Sequence, residues 1–250
     1  MVRGVTDTPD DLPSLLFVTG TDTGVGKTVV TAALASYLDR AGPVGVFKPF
    51  QTGVGPDEPG DAAEVERLIG GRGIGIEEGV RLRDPLAPTT AARREGVELP
   101  SILQMADRVV THCLHYWWSI VEGAGGLLVG LDAEGRNLAD LAAKVTGWPL
   151  GFVIVTRSGL GTLNHTMLTV EALRARNLPI AGLVIGSWPE EPDLADHCNL
   201  EDLPTLTGVP IIGSIPANAA ALTPTDFRAG AETWFDLPWR EISTGRIYRH

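Results

Sequence analysis

Leu15-Leu-Phe-Val-Thr-Gly20-Thr-Asp-Thr-Gly-Val-Gly-Lys27-Thr28 runs from an apolar, β-branched stretch through a glycine-rich turn into an Ala- and Leu-rich segment. A strand that turns through glycines into a helix is the setting in which Gly-Lys-Thr becomes a phosphate loop. Glycines let successive backbone N–H groups wrap an anion, and the helix that follows adds the positive end of its dipole. Lys27 would neutralise the outer phosphates, and Thr28 would hold Mg2+. The common form of the loop has glycine at position 21, whereas this chain has Gly20 and Thr21, one residue more. Nucleotide contacts are expected from Thr23, Gly24, Val25, Gly26, Lys27 and Thr28.

Beyond this loop, short runs rich in Val, Ile, Leu and Phe alternate with longer stretches of helical spacing. That is the pattern of parallel strands joined by crossover helices. Strands are predicted over residues 15–19, 44–47, 118–121, 150–155, 180–185 and 211–215. Helices are predicted over 27–40, 61–69, 101–114, 138–145, 162–176 and 203–207. The fifth of these keeps Leu163, Met167, Val170 and Leu173 three or four residues apart, as an apolar stripe for a sheet face requires. The expected class is α/β: a single-domain P-loop NTPase fold, its mostly parallel sheet flanked by helices on both faces. It would span residues 15–250 behind a loose tail at 1–14. The Gly-, Pro- and Arg-rich stretch 69–92 reads as a long loop, and the Pro- and acid-rich stretch 187–196 as an exposed excursion.

In an open parallel sheet, ligands bind outside the carboxyl ends of the strands. The predicted ends run into Lys48-Pro-Phe-Gln-Thr-Gly53, Glu122-Gly-Ala-Gly-Gly126, Thr156-Arg-Ser-Gly-Leu-Gly161, Gly186-Ser-Trp188 and Pro216-Ala-Asn218. Lysine, acid and hydroxyl groups therefore share one rim with the phosphate loop. Lys48, fixed between a buried strand and a proline, is placed to meet a transferred phosphoryl group or an anionic intermediate. Glu122 leaves a buried strand and needs a partner, either a nucleotide-bound Mg2+ or a structural cation. Asp61 opens a helix, as a metal ligand or as an N-cap. Gly186, Ser187, Pro216, Ala217 and Asn218 form the far end of the nucleotide rim.

Composition narrows the partners. The 250 residues carry a net charge of −11, with 44% hydrophobic and 20% charged residues, which describes a folded chain that repels polyanions such as nucleic acid. No apolar run reaches bilayer length, no basic leader opens the chain, and Cys113 and Cys198 stand apart without disulfide spacing. A reducing, cytoplasmic setting without membrane contact is expected. His112, Cys113 and His115 lack a second cluster to complete a metal site.

The segments at 20–28, 48–53, 121–126 and 159–165 resemble, in order and together, the dethiobiotin synthetase family, which shares the lengthened phosphate loop. The resemblance implies an ATP- and Mg2+-dependent ligase acting on 7,8-diaminononanoate and CO2. A carbamate would form, be phosphorylated, and close to the ureido ring with loss of phosphate. It also implies a homodimer with the diamine near the subunit interface. By match to the family, Lys27 and Lys48 would be catalytic, and Thr28, Asp61 and Glu122 would serve Mg2+. Thr23, Lys48, Thr52, Glu122 and Gly125 would line the substrate pocket. Gly161, Thr162, Leu163 and Asn164 would hold the substrate carboxylate from the partner subunit, as a helix N-terminus suits.

Two positions depart from the family pattern. A histidine often found in the Pro-rich segment is missing from residues 84–92, and Gly186 stands where relatives place an adenine-reading asparagine. Two other P-loop readings fit less well. A partitioning-type ATPase switch needs a second lysine early in the loop, where this chain has Asp22; a cobyrinate-type amide synthase needs a reactive cysteine in a glycine-rich elbow, and neither Cys113 nor Cys198 occupies one.

Overall fold

In the first strand, β1 (Leu15–Gly20), every residue is buried: Leu15 and Phe17 face one core, Leu16 and Val18 the other. Burial on both faces is why the run is apolar without alternation. The computed structural model describes residues 12–71 and 73–237. Residues 1–11 of the expected tail and 238–250 of the expected domain lie outside that range. Residues 12–14 already belong to the fold, for Pro13 is buried and the Ser14 carbonyl accepts the Ser119 amide at 2.9 Å.

The other strands are β2 (Val44–Gln51), β3 (Gly75–Arg81), β4 (Trp118–Gly126), β5 (Leu150–Thr156), β6 (Ile180–Trp188) and β7 (Ile211–Pro216). All pair in parallel in one sheet of order β3-β2-β4-β1-β5-β6-β7. On one face lie α1 (Lys27–Leu38), α2 (Asp61–Ile69) and α8 (Pro224–Ala231), which bury Val30, Leu34, Val65, Leu68 and Phe227 against Leu16, Val18 and Val46. On the other lie α4 (Ile102–Cys113), α5 (Leu138–Lys144), α6 (Thr162–Arg174) and α7 (Leu194–Thr207), around Phe17, Phe47 and Phe152. Each such aliphatic or aromatic side chain contributes about 1.5–3 kcal/mol by leaving water.

The structure corrects the reading of 69–92 as a loop. That stretch contains β3 and the start of α3 (Pro88–Glu95), which begins on a proline and ends at Gly96 in the left-handed conformation. β3 is an edge strand, half-buried along its whole length and paired only to β2, so its sequence carries no apolar run. The helix expected at 203–207 is the end of the longer α7. An Asp193–Asp196 capping box starts it, and it tolerates Pro204 near its end. The expected excursion at 187–196 is thereby shortened, since β6 runs to Trp188 and Asp196 is buried. α8, absent from the expectation, is signalled by Thr223-Pro224 with Asp226, whose amide the Thr223 side chain caps.

Candidate active site

The crevice opens where strands separate. β2 pairs with β4 only through Phe47, while β1 and β4 lose register between Val18 and Gly20, opposite Glu122 and Gly126. Beyond Phe47, β2 continues beside β3 alone, and Gly79 lets the Pro49 carbonyl approach where a Cβ would lie 2.2 Å from it. Lys48 thus projects from a rigid strand into the gap between β2 and β4.

Lys48 is 3% exposed, and its ammonium meets Asp61 Oδ2 at 2.5 Å, Glu122 Oε1 at 2.8 Å and the Gly123 carbonyl at 3.0 Å. Burial opposes its charge, but Glu122 and Asp61 outweigh burial and hold it above the usual lysine range. Glu122, 1% exposed, also accepts the Thr28 hydroxyl at 2.9 Å. The Lys27 ammonium donates to the Asp22 carbonyl at 3.0 Å. Burial, then the neighbouring Lys48 charge, pull Lys27 down to about 8, against the opposing pull of Glu122, Asp61 and Asp22. Two lysines of unequal acidity therefore face the same space.

That space is a cavity of about 430 Å3. It brings together Thr23, Gly24, Gly26, Lys27, Thr28, Lys48, Thr52, Asp61, Glu122 and Gly125, all expected from the sequence, and adds Val29, Phe50, Gln51 and Ala124. Asp61 is not an N-cap: Gly60 caps α2, and the Asp61 carboxylate turns to Lys48 instead. Gln51 fixes that geometry, because its Oε1 accepts the Asp61 amide at 2.7 Å and leaves room at position 60 only for glycine. Phe50 and Gln51 lay in the expected rim segment without a role, and the strand's true end, two residues past Pro49, is what gives them one. Arg157 also went unrecognised; it reaches across the loop mouth to Asp22 Oδ2 at 3.1 Å.

Hard oxygen donors are what Mg2+ takes, and Thr28, Glu122 and Asp61 supply them around one space. Among the described residues no three His, Cys, Asp or Glu side chains cluster as a metal site. Two carboxylates and a hydroxyl suit an ion that completes its shell with phosphate oxygens and water.

The remaining expected residues lie outside the cavity. The Val25 side chain is buried in the core, leaving only its backbone to the loop. Gly186 is buried beneath the phosphate loop, where a Cβ would stand 1.9 Å from the Val25 carbonyl. Ser187, Pro216, Ala217 and Asn218 form a separate, exposed rim. There the Ala217 amide donates to the Trp188 carbonyl at 2.8 Å, and the Asn218 amide donates to Glu190. At the start of α6, Gly161 and Asn164 are exposed and Leu163 half-buried. Thr162 is buried, its hydroxyl donating to the Arg157 carbonyl at 2.7 Å.

A strand–loop–helix phosphate cradle at the open end of a parallel sheet, with buried lysines and carboxylates around it, defines a P-loop nucleotide-binding enzyme. The fold is shared with a ParA family ATPase from Chlorobium tepidum (13% identity, TM-score 0.51, covering 90% of this chain and 93% of that one). Chloroplast FtsY from Physcomitrella patens shares it too (13% identity, TM-score 0.50, covering 91% and 69%). A family model described as an AAA domain matches residues 14–225. Much closer likeness is found to the ATP-dependent dethiobiotin synthetase BioD of Rhodococcus jostii, 51% identical over 94% of this chain and 100% of that one. The enzyme of the same name from Streptomyces coelicolor is 50% identical over 90% and 92%, and that of Rhodococcus erythropolis 52% over 86% and 93%. The chain belongs to the dethiobiotin synthetase family, ligases that form carbon–nitrogen bonds.

Proposed function

We propose that the protein uses ATP, or another nucleoside triphosphate, with Mg2+ to convert 7,8-diaminononanoate and CO2 to dethiobiotin. One amine of the substrate adds to CO2 and gives up a proton, forming a carbamate. A carbamate oxygen then takes the terminal phosphoryl group, releasing nucleoside diphosphate. The second amine attacks the carbonyl carbon, and phosphate leaves as the ureido ring closes. Such a sequence needs charge neutralisation and alignment more than it needs a nucleophilic side chain.

The observation that carries this reading is Lys48, a cation kept charged at the cavity wall by Glu122 and Asp61. It is placed to stabilise the carbamate and the phosphoryl group moving to it, while Lys27 holds the outer phosphates. Mg2+ would be held by Thr28, Glu122 and Asp61 and would neutralise charge on the triphosphate. Lys48 shares both carboxylates with that site, so with them engaged elsewhere its ammonium would be free to face the substrate. Thr23, Thr52 and Gly125 border the space where the carbamate would sit.

The turn at Gly161, Thr162, Leu163 and Asn164 lies outside the cavity of its own chain, which agrees with a role across a homodimer interface, gripping the substrate carboxylate for the partner subunit. Base choice would be relaxed, since Gly186 offers no side chain to read adenine. No described helix is long and apolar enough to cross a membrane, and the proposed setting is the cytoplasm. Incubation with diaminononanoate, bicarbonate, Mg2+ and nucleotide should yield a product of dethiobiotin mass. Nucleotide hydrolysis without that product would overturn the reading.

A further inference from the structure

The turn between β5 and α6 is held from behind by side chains that the reaction does not call for. Asn199, on α7 and buried, donates its Nδ2 to the Ser158 carbonyl at 2.6 Å and to the Gly159 carbonyl at 3.1 Å. Asp196, one turn earlier and also buried, lies beside buried Ser158, whose hydroxyl holds its carboxyl below the usual carboxylate range, and Gly159 packs beside its Oδ1. The same carboxylate closes the α7 capping box, its Oδ2 accepting the Asp193 amide at 2.9 Å. Thr162 takes the Arg157 carbonyl from inside the turn. Three successive carbonyls, at 157, 158 and 159, are thus drawn inward and satisfied by protein.

This pattern sorts the polarity of the turn. A thirteen-residue helix begins at Thr162; the Gly159 carbonyl takes the Thr162 amide at 3.3 Å, and the next first-turn amides, of Leu163 and Asn164, have no helical partners. Had the carbonyls of Ser158 or Gly159 rotated outward, their oxygens would face the same solvent and repel an anion. With those carbonyls held by Asn199 and by the Thr162 amide, the amides of Leu163 and Asn164 are the groups left to meet an anion at the helix start.

We propose that Asn199 and Asp196 are positioning residues for the diamine substrate: they hold the 158–164 turn so that its N–H groups, and not its carbonyls, meet the substrate carboxylate. The proposal rests on the reading above that this turn grips that carboxylate. It gives the 187–199 segment a task at a distance from the phosphates, setting how tightly one end of the substrate is held.

The test compares diaminononanoate with its methyl ester, which keeps the diamine and removes the negative charge. The parent enzyme should prefer the acid through KM. Asn199→Ala should raise KM for the acid by roughly tenfold and leave KM for the ester, KM for nucleotide and kcat near parental values, so that the preference collapses. Asp196→Ala should do the same by opening the space behind the turn, and Asp196→Asn, which keeps the shape of the side chain beside Ser158 and Gly159, should restore most of the preference. A general loosening of the fold would instead move kcat and nucleotide KM together, and that result would overturn the proposal. Retention of the full acid preference by both Asn199→Ala and Asp196→Ala would overturn it while leaving the carboxylate reading intact. A parent that did not distinguish acid from ester would overturn both. Should Asn199→Ala fail to fold, Asp196→Ala and Ser158→Ala carry the same comparison.

Discussion

The two ends of the nucleotide crevice are made of different material. At the β1–β2–β4 end the walls are charged side chains on strand and helix ends, with Lys48 and Glu122 sealed from solvent and Asp61 closing the pair. At the β6–β7 end the wall is backbone: Gly186 lies against the phosphate loop, and the charged Glu190 sits out in solvent. Buried charge has a direction and a partner, so it specifies chemistry; the exposed rim of Ser187, Pro216, Ala217 and Asn218 would accept many bases on similar terms. The enzyme should therefore be exacting about what happens at the phosphates and tolerant about the base.

The hardest blow to that comparison would be a charge removed without consequence. Lys48→Ala and Lys27→Ala should each lower kcat by about 10²–10³, measured as dethiobiotin formation on folded protein. Lys48→Ala also leaves Glu122 buried without its cation, so the thermal midpoint should fall. Adding Glu122→Gln should recover the midpoint but not the turnover. Near-parental kcat in Lys48→Ala would mean that the charged end is only structural.

At the other end, Gly186→Asn should raise KM for ATP, CTP, GTP and UTP alike, by about tenfold or more, because the new Cβ displaces the Val25 carbonyl and with it the phosphate cradle. If the substitution instead sharpened preference for ATP with the other constants unchanged, the loop would be softer than its packing implies. In the parent, kcat/KM for CTP, GTP and UTP should lie within about tenfold of ATP, since an amide reading a base edge is worth about 1–3 kcal/mol and none stands at position 186. A hundredfold preference for ATP would place base recognition in the side chains around Asn218.

The smallest effect is with pH. Lys27 sits at about 8 in the free protein, and a bound triphosphate raises it, so binding takes up a proton as pH passes through 8. The lysine is charged below that value and neutral above it. Nucleotide affinity should accordingly be roughly fourfold weaker at pH 8.5 than at pH 7. Calorimetry in buffers of different ionisation heat should show the proton uptake near pH 8 and its loss in Lys27→Met.

What could be read beforehand follows the same division. β1, β2 and β4 to β6 announce themselves because strands buried on both faces must be apolar, and β7, though the other edge, still buries Ile212 and Ile215; the residues that follow these strands run toward the crevice. β3 does not, because an edge strand with Glu77 and Glu78 beside two glycines has little to bury. Lys48, Glu122 and Thr28 were legible from position alone. Gln51 was on the rim but without a role, because Pro49 reads as the end of a strand yet lies within one whose β4 side has already opened. The supports of the 158–164 turn were invisible for another reason, since Asp196 and Asn199 come from a distant helix and no local pattern ties them to Ser158.

The contact between the phosphate loop and Gly186 has a consequence for descent. A Cβ at Gly26 would stand 2.6 Å from the Gly186 carbonyl, and a Cβ at Gly186 would stand 1.9 Å from the Val25 carbonyl, so loop and strand end each exclude a side chain on the other. On this packing, a residue at 186 able to read adenine would come by one substitution only at the expense of the grip on phosphate. The change requires the loop and the strand end to be altered together. Permissive base choice, if measured as expected, would then be a legacy of this packing and not of which nucleotide is abundant in the cell.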